Sequence, residues 1–565
     1  METKKNYRVA VSIFCGFAVV VVALFAAFSI QAATETTVSG KVFDYRGPLV
    51  DVRVLVQGTK NTAVTDREGR FILSEVTPGQ KISLSAWKEG YYNALLTDIK
   101  TPAKGLHLTL IRIQLDDNPK YEWIPPEKAA GSCRECHISI TAISLRDAHM
   151  RAAKNPRFLN MYYGTDSKGN QSPQTRYAKG TTYGSWSNTK IPLQPDSSKP
   201  YYGPGYQLDF PGAPGNCSSC HIPGASVDHP VDPQSVKGAN RYGVHCDFCH
   251  KVANVRVDPE TRMANPDVPG VRAMTIKRPF ADDPQRCQLF FGAFADVNAP
   301  ANDAYLPLIK ESRFCASCHV GTFWDTLVYN SYGEWLQSPY ADLKSGKART
   351  CQACHMPSPT LYQGKPITNI APGKGGIERD AKTIHKHNMT VDAKLLRNAL
   401  TMKTAAKMQD GQAMVTVTLT NDKTGHHVPT DSPLRQMILI VEAKDSRGKA
   451  LAQQAGPVLP EWCGAGKAKK NHYSGLPGRA YAKLLKEKWT DVFPTGAYWN
   501  HTELVSDNRL AALASDTSTY AFDPPKNNKV QITVTLLYRR AFIALSEQKK
   551  WDVPDIIMAR QKLTI

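Results

Sequence analysis

Acidic residues are in short supply in this chain: 50 Asp and Glu stand against 70 Lys and Arg, leaving a formal charge of +20. An excess of that sign ordinarily points to nucleic acid or an anionic membrane. Spare cysteine is scarcer still. Ten of the 13 fall in five copies of one short pattern, so that only Cys15, Cys287 and Cys463 remain. Cys15 follows Phe14 instead of the small residue a lipidation box wants, and reads as a small apolar side chain. Cys287 and Cys463 are either a disulfide, as an oxidising compartment permits, or two buried thiols. Composition excludes disorder: 42% of the 565 residues are hydrophobic and 21% charged, which supports two to four domains with ordinary cores.

What is present is Cys-x-x-Cys-His, five times: Cys133/Cys136/His137, Cys217/Cys220/His221, Cys246/Cys249/His250, Cys315/Cys318/His319 and Cys351/Cys354/His355. This is the spacing of c-type haem attachment, where two thiols form thioethers to the porphyrin vinyls and the adjoining imidazole binds the iron from one side. Zinc ribbons also use Cys-x-x-Cys, but zinc wants four tetrahedral ligands and has no need of a His after every pair. A redox-active dithiol leaves the five histidines equally unexplained. The chain therefore reads as a pentahaem cytochrome with five covalent haems c. Two propionates per haem against one core charge lower the +20 to roughly +15 when oxidised and roughly +10 when reduced. Part of the Lys and Arg excess is thus expected to neutralise propionates. The remainder can steer an acidic redox partner, and no nucleic acid is expected.

At the start, Lys4, Lys5 and Arg8 precede an apolar run over residues 9–30, then Gln31-Ala32-Ala33-Thr34. Basic, apolar and small-polar in that order is an export signal, yet about 22 apolar residues are also enough to cross a bilayer. A cut after Ala32 or Ala33 would have Ile30 or Gln31, not a small residue, three positions upstream. Residues 1–33 are read as a signal peptide or a retained membrane anchor, and the rest is expected on the periplasmic or extracellular side.

Strand patterns at 38–43, 50–57, 70–74, 81–87 and 106–115, separated by turn residues, predict a β-sandwich over 34–116. It holds no His or Cys cluster, only His107, and reads as a spacer or docking module. Within it, Thr65-Asp66-x-x-Gly69-x-Phe71 followed by Glu89-Gly90-Tyr91 resembles the carboxypeptidase-regulatory-like, transthyretin-type sandwich; Asp66 and Gly69 are expected to shape a hairpin turn and Phe71 to enter the core. A linker over 117–130 leads to the cytochrome region, 131–400, where alternation is scarce and Pro, Gly, Asn and Tyr are frequent. Porphyrins are expected to supply its core while loops and short helices wrap them. From 401 to 565 a second β-sandwich is expected, with strands at 413–420, 437–443 and 530–537, an insertion at 456–507 and a helix at 542–548. The predicted fold class is multi-domain: sandwich, loop- and helix-rich cytochrome region, sandwich.

Four stretches carry a wider resemblance: Gly243-Val244-His245-Cys246-Asp247-Phe248-Cys249-His250, Glu334-Trp335-x-x-Ser338, Cys351-Gln352-Ala353-Cys354-His355-Met356-Pro357 and Gly425-His426-His427-Val428-Pro429-Thr430. From residue 131 onward the chain resembles multihaem c-type cytochromes that join a hydroxylamine-pathway type of cytochrome region to a β domain carrying Gly-His-x-x-Pro-Thr. The resemblance implies electron transfer. Those proteins usually continue the last motif with Gly, where this chain has Asp431, which puts the local turn in doubt.

Five irons with one imidazole each need five distal partners to be closed. Of the ten other histidines, His107, His472 and His501 read as surface or packing residues, leaving His149, His229, His245, His385, His387, His426 and His427. His149 stands twelve residues after His137, about 18 Å along a helix, and must serve a neighbouring haem. His245 abuts Cys246, whose haem already has His250 on the near face, so as a ligand it binds another haem. His385 and His387 would share a face on an extended segment. The resemblance favours His387 of that pair and His426 over His427, and His229 in a Pro-flanked loop completes the distal set.

Bis-His ligation leaves no open position, so the expected role is an electron carrier in contact with redox protein partners or a membrane electron-transfer complex. The alternative is a nitrite, hydroxylamine or sulfur-oxyanion reductase or oxidase with one open haem. Cytochrome c nitrite reductases often mark that haem with Cys-x-x-Cys-Lys, which does not occur here.

Overall fold

The computed structural model describes residues 36–114, 116–183, 186–280, 288–297, 302–465, 470–523 and 529–565. The apolar segment within 1–33 and Cys287 lie outside the described residues, and among the described residues no helix is long and apolar enough to cross a membrane. The chain is multi-domain, rich in sheets and poor in helix. It divides into one unit ending at Ile113 that also takes in Phe294–Tyr305, and a second made of Gln114–Ala293 and Leu306–Ile565.

The first unit is built from two four-stranded sheets. In one, Val38–Asp44 pairs antiparallel with Arg70–Leu73 and with Gly47–Pro48, and parallel with Ala103–Thr109. In the other the order is Thr62–Val64, Arg53–Val56, Lys81–Trp87, Ala94–Lys100. Alternating apolar residues from both sheets, among them Val38, Val54, Phe71, Leu84 and Leu108, form one buried cluster. Gly40 lets its strand approach the parallel neighbour, since a Cβ there would lie 2.2 Å from the Leu106 carbonyl oxygen. Asp66 Oδ1 accepts from the Glu68 and Arg70 amides at 3.0 and 2.8 Å, and Gly69 has φ +70°. The expected hairpin, however, is a corner between sheets, because Thr62–Val64 and Arg70–Leu73 pair in different ones. Thr65 sets the corner: its hydroxyl donates to the Leu49 carbonyl and accepts from the Val52 amide, ending the first strand. Segment Phe294–Tyr305, inside the stretch read as cytochrome region, packs here through Trp87 Nε1 to the Tyr305 carbonyl and Asp296 to the Gly58 amide, both 2.9 Å.

In the second unit helices are short; the longest described, Pro156–Tyr163, has 8 residues, an Asn155 N-cap and a left-handed Gly164 behind it. Residues 117–130, read as a linker, are pinned down: Asp117 takes Arg278 at 2.7 Å, and Asp247 accepts from Tyr121 and the Ile124 amide. The C-terminal part is a sandwich of a four-stranded sheet (Thr401–Gln409, Gln412–Thr420, Ser515–Phe522, Gln453–Ala455) and a five-stranded one (Thr502–Asp507, Gly478–Glu487, Gln436–Asp445, Val530–Arg539, Ile556–Thr564). The stretch read as an insertion at 456–507 thus supplies two strands. Gly478–Glu487 is buried on both faces, so it lacks the alternation that marks a strand.

Candidate metal centres

Each Cys-x-x-Cys-His winds into a single helical turn. Residues i, i+3 and i+4 of a turn share one face, so two thiols and an imidazole point the same way. The closing bonds are present: the His137, His221, His250 and His319 amides donate to the carbonyls of Cys133, Cys217, Cys246 and Cys315 at 2.9 to 3.1 Å, and Cys351–His355 is one helix capped by Thr350. All ten motif thiols are free; nine are half-buried and Cys354 is exposed.

The turns differ in kind, the first and the fourth beginning in 3-10 helices, Cys133–Glu135 and Ser312–Cys315. The first turn is a short 3-10 helix, Cys133–Glu135, which ends one residue before Cys136 and leaves that second attachment candidate as its C-cap, with φ −105° and ψ −40°. The reason is the tighter i+3 bonding of a 3-10 turn, here the Cys136 amide donating to the Cys133 carbonyl at 3.3 Å, which is complete after three residues. The Cys136 thiol is free and half-buried, and the i+4 bond of His137 to the same carbonyl keeps the imidazole in step with Cys133.

The turns stand beside one another in a fixed order. Cys133 and Cys246 hydrogen-bond thiol to thiol, as do Cys220 and Cys318, and Cys315 and Cys351. Backbone contacts hold these junctions. Gly270 donates to the Ser317 carbonyl at 2.8 Å while its Cα is pressed so close to the second turn that a Cβ would lie 2.3 Å from the Ser219 oxygen. The Cys351 amide donates to Ser312 Oγ at 3.0 Å, and Gln352 to the Glu311 carbonyl at 2.7 Å. Phe248 and Cys249 share one apolar cluster with Phe314, Ala316 and Val320. The resulting path is first, third and fourth turn, with the second and fifth both joined to the fourth.

Two pairs of imidazoles face each other. His149 and His319 have ring centroids 6.1 Å apart, and His355 and His426 6.2 Å. Imidazoles bonded at about 2 Å to opposite sides of one metal atom have centroids roughly 6 Å apart. Four candidate rings have the outer nitrogen tied down, as metal-bound imidazoles require. Nδ1 of His137, His250, His387 and His426 bonds the carbonyls of Ile370, Phe291, His385 and His427 at 3.0, 2.5, 2.9 and 2.9 Å. Burial pushes His221, His355 and His387 down to about 4, which keeps the lone pair free at neutral pH. Burial also opposes charge on His149, but the hydrogen bond and charge of Asp147 outweigh it and raise its pKa.

The Gly425–Thr430 loop delivers His426 from the sandwich. Glu334, on the helix Ser331–Leu336, is buried and receives Arg509 at 2.7 Å and His427 Nδ1 at 3.1 Å, besides Thr430 Oγ1. Against the cost of burial, those partners hold its carboxyl down at about 2. Gly425 lies against Trp335 and Tyr340, each 3.1 Å from where a Cβ would be. Asp431, where Gly was expected, does adopt the left-handed backbone, with φ +70°.

The remaining candidates lie apart from these pairs. His387 lies near His250 and His137, which depress its pKa further. His245 is buried as the N-cap of Cys246–Cys249: Nδ1 accepts from the Phe248 amide and Nε2 faces Asn240 Oδ1, both at 3.3 Å, so each ring nitrogen already has a partner. His229 and His385 are exposed. His107 stacks on Phe43, His472 meets Glu547, and His501 packs between Trp324 and Trp489. The ring against His221 is Phe158, parallel at 4.0 Å. Sequence reasoning passed over Asp147 and Phe158; an acidic residue two before a candidate ligand was the available signal for the first, and the second had none.

The donor set fits haem. A bare ion needs three or more converging protein ligands, whereas a porphyrin supplies four nitrogens and asks the protein only for facing imidazoles and two thiols per site. No family model and no curated protein matches the chain. Among solved structures it is similar to a penta-heme cytochrome c552 from Thermochromatium tepidum, at 18% identity over 77% of this chain and 97% of that one, with a TM-score of 0.48. Smaller matches are two cohesin–X-dockerin complexes from Acetivibrio cellulolyticus, at 23% and 17% identity over 13% and 24% of this chain and 51% and 80% of those, with TM-scores of 0.12 and 0.13.

Proposed function

We propose that this chain is a multihaem c-type cytochrome that carries electrons on the outer side of the cytoplasmic membrane, with one covalent haem on each of the five turns. The observation that carries the reading is the facing pair, twice over: His149 with His319 and His355 with His426, at the separation of two axial ligands. Bound haem supplies a ferric–ferrous couple. The chain's own residues hold the thiols on one face of each turn, keep His221, His355 and His387 neutral by burial, and set neighbouring turns in contact so that electrons need cross only short gaps. His387 serves the His250 or His137 site, and the excess of Lys and Arg steers an acidic redox partner or a membrane electron-transfer complex. The apolar start of the chain exports or anchors it.

A specific observation favours a second reading, a reductase or oxidase of nitrite, hydroxylamine or a sulfur oxyanion. Among the described residues no imidazole is paired with His221 as His149 is with His319. Near its turn lie Tyr329 and Tyr498, with ring centroids 6.5 Å apart, and Asp431 with Arg435. Arg157 also lies near Arg435 and Arg540; burial and the charges of those two neighbours lower its pKa.

Electron paramagnetic resonance of the oxidised protein tests both readings. Five low-spin ferric haems are the carrier's signature. One high-spin signal that shifts when nitrite, hydroxylamine or cyanide is added, and is absent from a variant with His221 replaced, selects the enzyme. Three or fewer haems in fully matured protein would sink both.

A further inference from the structure

The pair His149/His319 differs from His137, His250, His387 and His426 in what its outer nitrogens meet. In those four Nδ1 bonds a backbone carbonyl; here both face carboxylates. His149 Nδ1 lies 3.1 Å from Asp147 Oδ2 and His319 Nδ1 3.9 Å from Asp431 Oδ1. Asp147, 1% exposed, is fixed by the Met389 amide at 2.7 Å and the His149 amide at 3.1 Å. Asp431 is held in its left-handed turn by Ser331 at 3.4 Å and Arg435 at 3.5 Å. The turn so flanked is also the junction, touching the second turn through Cys318 and the fifth through Cys315.

We infer that Asp147 and Asp431 act as positioning residues that give the iron held between His149 and His319 the lowest reduction potential of the five. The inference rests on the reading of those histidines as one axial pair. A carboxylate on Nδ1 pulls the imidazole toward imidazolate, and the better donor favours ferric over ferrous iron; the negative charge acts in the same direction. Arg435 offsets part of the Asp431 charge, so Asp147 has the larger effect. A low-potential centre at a branch point works as a valve: electrons cross it without resting there, and the second and fifth sites fill before it does.

The test is potentiometric titration of the holoprotein, followed by the low-spin haem signals, for Asp147→Asn, Asp431→Asn and Asp431→Gly. Glycine suits the left-handed turn, so the last variant removes the carboxylate without straining the fold. The lowest of the five potentials should rise, more for Asp147→Asn than for either Asp431 variant, while the other four stay in place and all signals remain low-spin. An unmoved lowest potential in Asp147→Asn and Asp431→Gly, or a shift in a different centre, overturns the inference. His149→Ala separates that failure from failure of the ligand reading: if it produces no high-spin haem, the axial pair itself is wrong.

Discussion

The sandwich that begins the described chain and the region read as cytochrome after it build their interiors differently. In the first, Val38, Val54 and Leu84 are fully buried and the strands interlock through their own side chains. In the second, between residues 131 and 400, helices last one or two turns, sheets are two-stranded ribbons, and many residues at the turns are only half-buried. Five porphyrins would bring their own apolar faces to that region. On the proposed reading those faces join the one apolar cluster around Phe248, Val252 and Val271, and the fold there is then conditional on chemistry done after translation.

The comparison breaks most sharply in protein made without haem attachment. Limited proteolysis with mass spectrometry should find cuts throughout 131–400, while residues 36–113 survive as a resistant core. Equal resistance of both regions would mean that the cytochrome region owns a core of its own.

A smaller effect sharpens the contrast from the opposite side. Gly40→Ala forces a Cβ to 2.2 Å from the Leu106 oxygen, so the parallel strand pair must part. Overpacking of this kind costs on the order of 1–3 kcal/mol. The expected result is earlier unfolding of the first unit by denaturant, with the haem absorption spectrum unchanged. A spectral change at the same denaturant concentration would show the two units to be one cooperative body.

How much could be read in advance follows the same division. Strands with one wet face announced themselves, Val38–Asp44 and Gln412–Thr420 among them, because alternation records a single buried side. Gly478–Glu487 did not, since a strand buried on both faces has no period to show. The five pentads were legible because their chemistry is local: one helical turn holds all three donors. That the turn at Cys136 is of the tighter kind was not, because the spacing of the pentad is the same in either. The facing of the proposed ligands was hidden too, since bringing His149 to His319 closes a loop of 170 residues that only the fold decides. Gly425, Glu334 and Trp335 were visible as a motif, but that Glu334 fastens the His426 loop through His427 and Arg509 became clear only in three dimensions.

The smallest effect concerns a lysine buried in the second unit. Lys549 is fully inaccessible, its Nζ donating to the carbonyls of Asn160 at 3.1 Å and Pro204 at 2.5 Å. Burial pushes its pKa down to about 7, against the opposing pull of Asp166 and Asp209. Between that value and the 10.5 of an ordinary lysine, the unfolded chain binds the proton and the folded chain does not, so stability rises with pH across this window. Below about 7 both states are protonated and the contribution is flat. Lys549→Met should remove the rise, so that the wild-type denaturation midpoint minus that of the variant increases from pH 7 to pH 10. The change belongs to the transition that carries the haem signal and should leave the first unit untouched. A difference that stays constant with pH, or shrinks, would mean that the Lys549 ammonium keeps its charge inside the fold.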